Sequence, residues 1–81
     1  MTEKIGAFIN ITTEHMEPDE ILDIIVREIN PEEIYFVTGD YDYILKVNVS
    51  EMNELRDLVS RLRKFTWIKK TNTSIILRKL G

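Results

Sequence analysis

An α+β fold with the element order βαββαβ is predicted by three observations in this 81-residue sequence. Alternating apolar residues mark strand segments near the start, on both sides of a polar turn at Gly39, and near the end. Two intervening segments carry apolar residues at helical spacing. The two apolar runs around Gly39 are joined so closely that they read as an antiparallel hairpin.

The first strand is Ile5–Thr12, with Ile5, Ala7, Ile9 and Ile11 on one face. Thr13-Glu14-His15-Met16-Glu17 is a polar connection, and Pro18 suits the first turn of a helix, with Asp19 and Glu20 at its positive end. Ile21, Leu22, Ile25 and Ile29 form that helix's stripe, which Ile24 and Val26 widen, and Asn30-Pro31 ends it. The hairpin follows, with strands from about Glu33 to Thr38 and from about Asp42 to Val49. Ser50 is the expected N-cap of a second helix striped by Met52, Leu55, Leu58, Val59 and Leu62. Phe65-Thr66-Trp67 breaks the pattern, and Ile68 to Leu80 reads as a last strand. Right-handed crossovers place both helices on one face of an antiparallel sheet, with the first and third strands central. This is a ferredoxin-like arrangement.

One domain spanning residues 1–81 is expected from the length, with no DNA-binding domain expected beside it. There is no cysteine, which removes disulfides, thiolate nucleophiles and thiolate metal sites. The start lacks the layout of a signal peptide, and the apolar runs are far too short for a membrane span. A cytoplasmic protein without membrane contact is therefore expected. All 14 acidic residues fall within 1–57 beside four basic ones, whereas 58–81 hold seven basic residues and no acid. Those cations sit where a helix ends and a strand edge runs, positions that favour them without nucleic acid. No direct nucleic-acid partner is expected. His15 is the only histidine and lies in a polar connection, so neither a metal nor another cofactor is expected.

The turn carries the chemistry. Gly39 permits a positive φ, and Asp40 and Asp42 flank Tyr41. A tip of this kind can offer N–H donors to a carboxylate and an acceptor to an ammonium, the needs of a zwitterion. The simpler role for either Asp is to bond nearby backbone amides. Thr38-Gly39-Asp40-Tyr41-Asp42-Tyr43, followed by Leu45-Lys46-Val47, resembles the RAM domain, the ligand-sensing part of Lrp/AsnC transcriptional regulators. The likeness extends over nearly the whole chain through the order of elements, and is that of a stand-alone RAM domain. It implies an amino-acid effector bound by Gly39, Asp40, Tyr41 and Asp42, and it matches Thr71 and Thr73 to the hydroxyl-bearing stretch early in the family's last strand. It also implies dimers that join into rings with ligand between dimers. The chain departs from the family where Phe65-Thr66-Trp67 replaces a Pro-Gly-type turn; Trp67 reads as a core or interface aromatic.

One layer of helices covers one sheet face only. The other face is expected to carry Phe8, Ile44 and several further apolar groups, so a homodimer packed sheet to sheet is the minimum assembly. The expected function is a non-enzymatic amino-acid-binding regulatory module. It would act through oligomer assembly or through contact with a full-length Lrp/AsnC regulator. The alternative is a small dimeric α/β-sandwich enzyme of isomerase or monooxygenase type, a chemistry that requires an acid–base group in an enclosed pocket. An RNA binder on this topology would need exposed aromatics along the central strands, which Ile9-Asn10-Ile11 and Lys46-Val47-Asn48 do not supply.

Overall fold

The computed structural model describes residues 4–81. The elements run β1 (Ile5–Thr13), α1 (Pro18–Glu28), β2 (Glu33–Phe36), β3 (Tyr43–Val49), α2 (Met52–Arg63) and β4 (Ile68–Ile75). The sheet order is β2-β3-β1-β4 and every pairing is antiparallel. The ferredoxin-like order is thus present, with β1 and β3 central.

Register fixes the faces. Ile9 stands opposite Leu45 and Thr73, and Ile11 opposite Tyr43 and Thr71, so these residues share the helix side. Ala7, Ile9, Ile11, Tyr43, Leu45, Val47 and Val49 are buried there against Ile21 and Ile25 of α1, Ile29 at its C-cap, and Leu55, Leu58 and Leu62 of α2. Alternation of period two in the strands meets helical stripes, and the core follows from both.

The helix ends are tied by specific groups. Pro18 occupies the first turn of α1, and Asn30 just past its end adopts φ 53°, the left-handed conformation that closes helices. The Arg61 guanidinium of α2 donates to the Glu28 carbonyl at 2.9 Å, setting a cation on the negative end of α1. Ser50 is not the N-cap of α2. The cap position is Glu51, without a side-chain bond, and the Glu54 carboxylate instead reaches back to accept the Ser50 N–H at 2.7 Å. The bond resembles the return half of a capping box displaced by one residue, and it satisfies a donor just outside the helix.

Two strands are shorter than the sequence pattern implies. β2 ends at Phe36, because Val37 N–H donates to the Asp42 carbonyl at 2.9 Å and the chain then turns. β4 ends at Ile75; Ile76 adds one bond to the Gly6 carbonyl, and the chain continues to Gly81 without regular structure. Trp67 packs half-buried against the core and stacks on Phe65 with centroids 5.3 Å apart.

The uncovered sheet face carries Phe8, Ile44 and Tyr35, with Ile76 packed over Gly6, and Asn10, Asn48, Asn72 and Ser74 share the face by register. Along the β2 side, Lys46 pairs with Glu32 at 3.2 Å, Asn48 donates to the same carboxylate, and Tyr35 donates to Glu33.

Candidate functional site

The hairpin tip, residues 38–41, lies past the last β2–β3 pair, Phe36 with Tyr43. Gly39 takes φ 106°, which a side chain would strain, and nothing lies within 4 Å of where its Cβ would be. Among the described residues, the N–H groups of Thr38, Gly39, Asp40 and Tyr41 donate to no acceptor. The Asp40 carboxylate is exposed and accepts no hydrogen bond from the described residues. Free donors and a free anion therefore stand within three residues of one another.

Asp42 is placed differently. Its Oδ2 accepts the Thr13 N–H at 2.8 Å and the Thr13 hydroxyl at 3.4 Å. Its own N–H donates to the Ile11 carbonyl at 2.8 Å, and the Thr12 hydroxyl donates to the Asp40 carbonyl at 3.4 Å. The tip is thus clamped onto the end of β1, and the two aspartates have separate surroundings: one holds the turn, the other faces solvent.

Thr71 and Thr73 are not brought to the tip. Both lie on β4 at the edge of the sheet, with β1 between them and the hairpin. Thr71 is two strand spacings from Tyr43, roughly 10 Å. Thr73 lines a cavity of about 440 Å³ with Met52, Arg56, Val59 and Arg63 of α2, and Thr71 lines another of about 450 Å³ with Arg63, Lys69 and Lys70. Neither cavity includes a hairpin residue.

A third cavity adjoins the hairpin, and nothing in the sequence pattern singled it out. It has about 520 Å³ between the β1–α1 connection and the start of β3, and Asp42, Tyr43, Phe36, Glu14 and Glu17 are among its walls. The Tyr43 side chain is only 3% exposed, and among the described residues its hydroxyl has no hydrogen-bond partner. Burial, then the negative charges of Asp42 and Glu17, raise its pKa above 10. Phe36 stacks on Tyr43 with centroids 5.1 Å apart. The one signal available in the sequence was that Tyr43 is the single polar-tipped residue on an otherwise aliphatic buried stripe. Among the described residues no group of three or more His, Cys, Asp or Glu is placed to hold a metal ion. No helix of the described residues is long and apolar enough to cross a membrane.

Comparison with known proteins joins this geometry to a family. A hypothetical protein from Pyrococcus horikoshii superimposes with a TM-score of 0.79 at 28% identity, covering 93% of this chain and 92% of that one. A feast or famine regulatory protein of M. tuberculosis, solved in complex with L-methionine, gives 0.78 at 29% identity, covering 95% of this chain and 52% of the other. Homocitrate synthase of Saccharolobus islandicus is 33% identical over 48 residues, which is 59% of this chain and 10% of the enzyme. The chain therefore spans about a tenth of the length of the curated relatives it matches. The family model described as the Lrp/AsnC ligand binding domain matches residues 6–80. A βαββαβ domain with an open-handed hairpin tip, matched over nearly its full length, belongs to the Lrp/AsnC ligand-binding domain family.

Proposed function

We propose that this chain is a non-enzymatic regulatory module that binds a free amino acid at Gly39, Asp40, Tyr41 and Asp42. The observation that carries the reading is the set of unpaired N–H groups at 38–41 beside the unpaired Asp40 carboxylate. The donors take the ligand's α-carboxylate, and Asp40 takes its α-ammonium. Asp42 contributes by holding the tip in place through Thr13. Family membership and the methionine complex of the M. tuberculosis relative support an amino-acid ligand.

Thr71 and Thr73 join such a site only from a neighbouring subunit, since β1 separates them from the hairpin of their own chain. Ligand occupancy and assembly are then linked, and the module acts by changing its oligomeric state or by docking on a full-length Lrp/AsnC regulator. A sheet-to-sheet homodimer through Phe8, Ile44 and Tyr35 is the unit from which a ring would be built. The match to a stretch of a synthase fits a module whose response passes to whatever it is attached to.

A thermal-shift screen against the twenty amino acids, with light scattering on the same samples, tests the reading. One or a few amino acids should stabilise the protein by about 2.7 kcal/mol at a hundredfold excess over Kd. Asp40→Ala should weaken that ligand by roughly tenfold or more, the worth of a charge-assisted bond, without lowering the melting temperature of the free protein. Unchanged affinity in the Asp40→Ala protein would remove the hairpin tip from the site.

A further inference from the structure

We propose that the segment after β4, residues 77–81, docks along the β2 edge of a second copy of this chain, with one of its leucines seated in the groove between α1 and β2. The contact lies outside the hairpin tip and does not depend on amino-acid binding.

Donor and acceptor are both open. Leu77 is 96% exposed and Leu80 81%, and neither belongs to a regular element. Two leucines in so short a segment leave apolar area in water that burial would remove. On the acceptor side Phe36 is 68% exposed, and Leu22 and Val26 of α1 are exposed as well. A groove of about 170 Å³ runs there, lined by Pro18, Asp19, Leu22, Ile34, Phe36 and Tyr43, of which only Asp19 is charged. Among the described residues β2 is an edge strand, so its outer N–H and C=O groups have no strand beside them.

Register and charge fit as well. Ile34 and Phe36 stand opposite Leu45 and Tyr43 on the helix side, and Tyr35 stands opposite Ile44 on the open side. In an added strand Leu77 and Leu80, an odd number of positions apart, point to opposite faces. One leucine enters the groove and the other lands beside Tyr35. Arg78 and Lys79 lie between them. The acceptor elements are acidic: α1 carries Asp19, Glu20, Asp23 and Glu28 against Arg27, and β2 carries Glu33 and no cation.

The occupant is another copy because the chain's own segment leaves from the wrong corner. β4 and β2 are opposite edges of the sheet, three strand spacings or roughly 14 Å apart. Ile75 is level with Ala7, whereas Phe36 is level, through Tyr43, with Ile11, about 13 Å away along the strands. The diagonal is roughly 20 Å, and β4 runs away from Phe36 as it ends. Ile76 is held by the Gly6 carbonyl, and the four residues Leu77 to Leu80 reach about 14 Å at most. Donor and acceptor surfaces differ, so the contact is head-to-tail. It is weak singly and gains strength where a sheet-to-sheet pair offers two segments and two edges together.

A labelled peptide of residues 76–81, titrated by fluorescence anisotropy, tests the contact. It should bind the full chain carrying Leu77→Ser and Leu80→Ser, whose groove is free, and added salt should weaken it. The same peptide with both leucines replaced by serine should bind at least tenfold more weakly, the worth of one buried leucine. Leu22→Asp in the acceptor should weaken the native peptide by a similar factor. Leu22 and both segment leucines are exposed, so the far-ultraviolet spectrum and melting temperature of each variant should match the parent. By light scattering at equal concentration, the parent should have a higher mass than the chain with both serines. Absence of peptide binding overturns the proposal. Binding that Leu22→Asp leaves unchanged places the segment on another surface, such as the open sheet face, and also overturns it. Equal masses for the parent and the serine variant at every concentration overturn it too, because the segment is then idle in the full chain.

Discussion

Asp40 and Asp42, two residues apart, divide the work of the hairpin, and substitution should separate them. Asp42→Ala removes the acceptor of the Thr13 N–H and should destabilise the fold by about 1–3 kcal/mol, read from urea unfolding. Asp40→Ala should leave that transition where it is. Tyr43 adds a pH dependence. Its pKa is raised in the folded state, chiefly by burial, so the unfolded chain loses this proton first as the solution becomes alkaline. The associated stability is complete below about pH 10 and is lost as pH rises through the higher folded value. Tyr43→Phe should flatten that alkaline decline, read from unfolding experiments as pH is raised through the ordinary tyrosine value. Tyr35, raised first by its bond to Glu33, is exposed, and its substitution by Phe should alter the decline little.

Among the elements, packing and capping make different demands. Leu62 is fully buried at the meeting of α2 and the sheet, and Leu62→Ala should cost about 2–5 kcal/mol in denaturant unfolding. Glu54→Ala should cost about 1 kcal/mol, because the Ser50 N–H loses its acceptor. The core was largely legible in the sequence through the Ile5–Ile11 and Tyr43–Val49 alternations and the two helical stripes, but Leu22, Val26 and Met52, read as stripe residues, are exposed at the margins of their helices. The boundaries were less so. Ser50 has a capping side chain, yet the Glu54 carboxylate takes the local N–H, a choice made by rotamers rather than residue type. Leu77 and Leu80 look like strand residues, but among the described residues the last bond of β4 to β1 is made by Ile76 with the Gly6 carbonyl. At the site, the sequence indicated the turn residues but not the bond from Asp42 to Thr13, which spans 29 positions. Nor could it place β1 between the hairpin and Thr71.

For the whole molecule, the sheet face without helices is the surface on which the proposed dimer is tested. Its apolar part, centred on Phe8, Ile44 and Tyr35, is bordered by asparagines and by the Lys46–Glu32 pair. Such a mixed surface suits an interface with a dry centre and polar rim. Phe8→Glu should therefore give a monomer by light scattering while retaining the far-ultraviolet spectrum of the fold, and any amino-acid affinity that depends on Thr71 and Thr73 of a neighbour should fall with it. The clamp between hairpin and β1 has a further consequence. Because the Thr13 amide proton is held by the Asp42 side chain, it can exchange with solvent only when the tip lifts from the strand. Its deuterium uptake is therefore a one-residue clock for hairpin opening, and a ligand seated on the tip should slow it while amides at the far end of the sheet keep their pace.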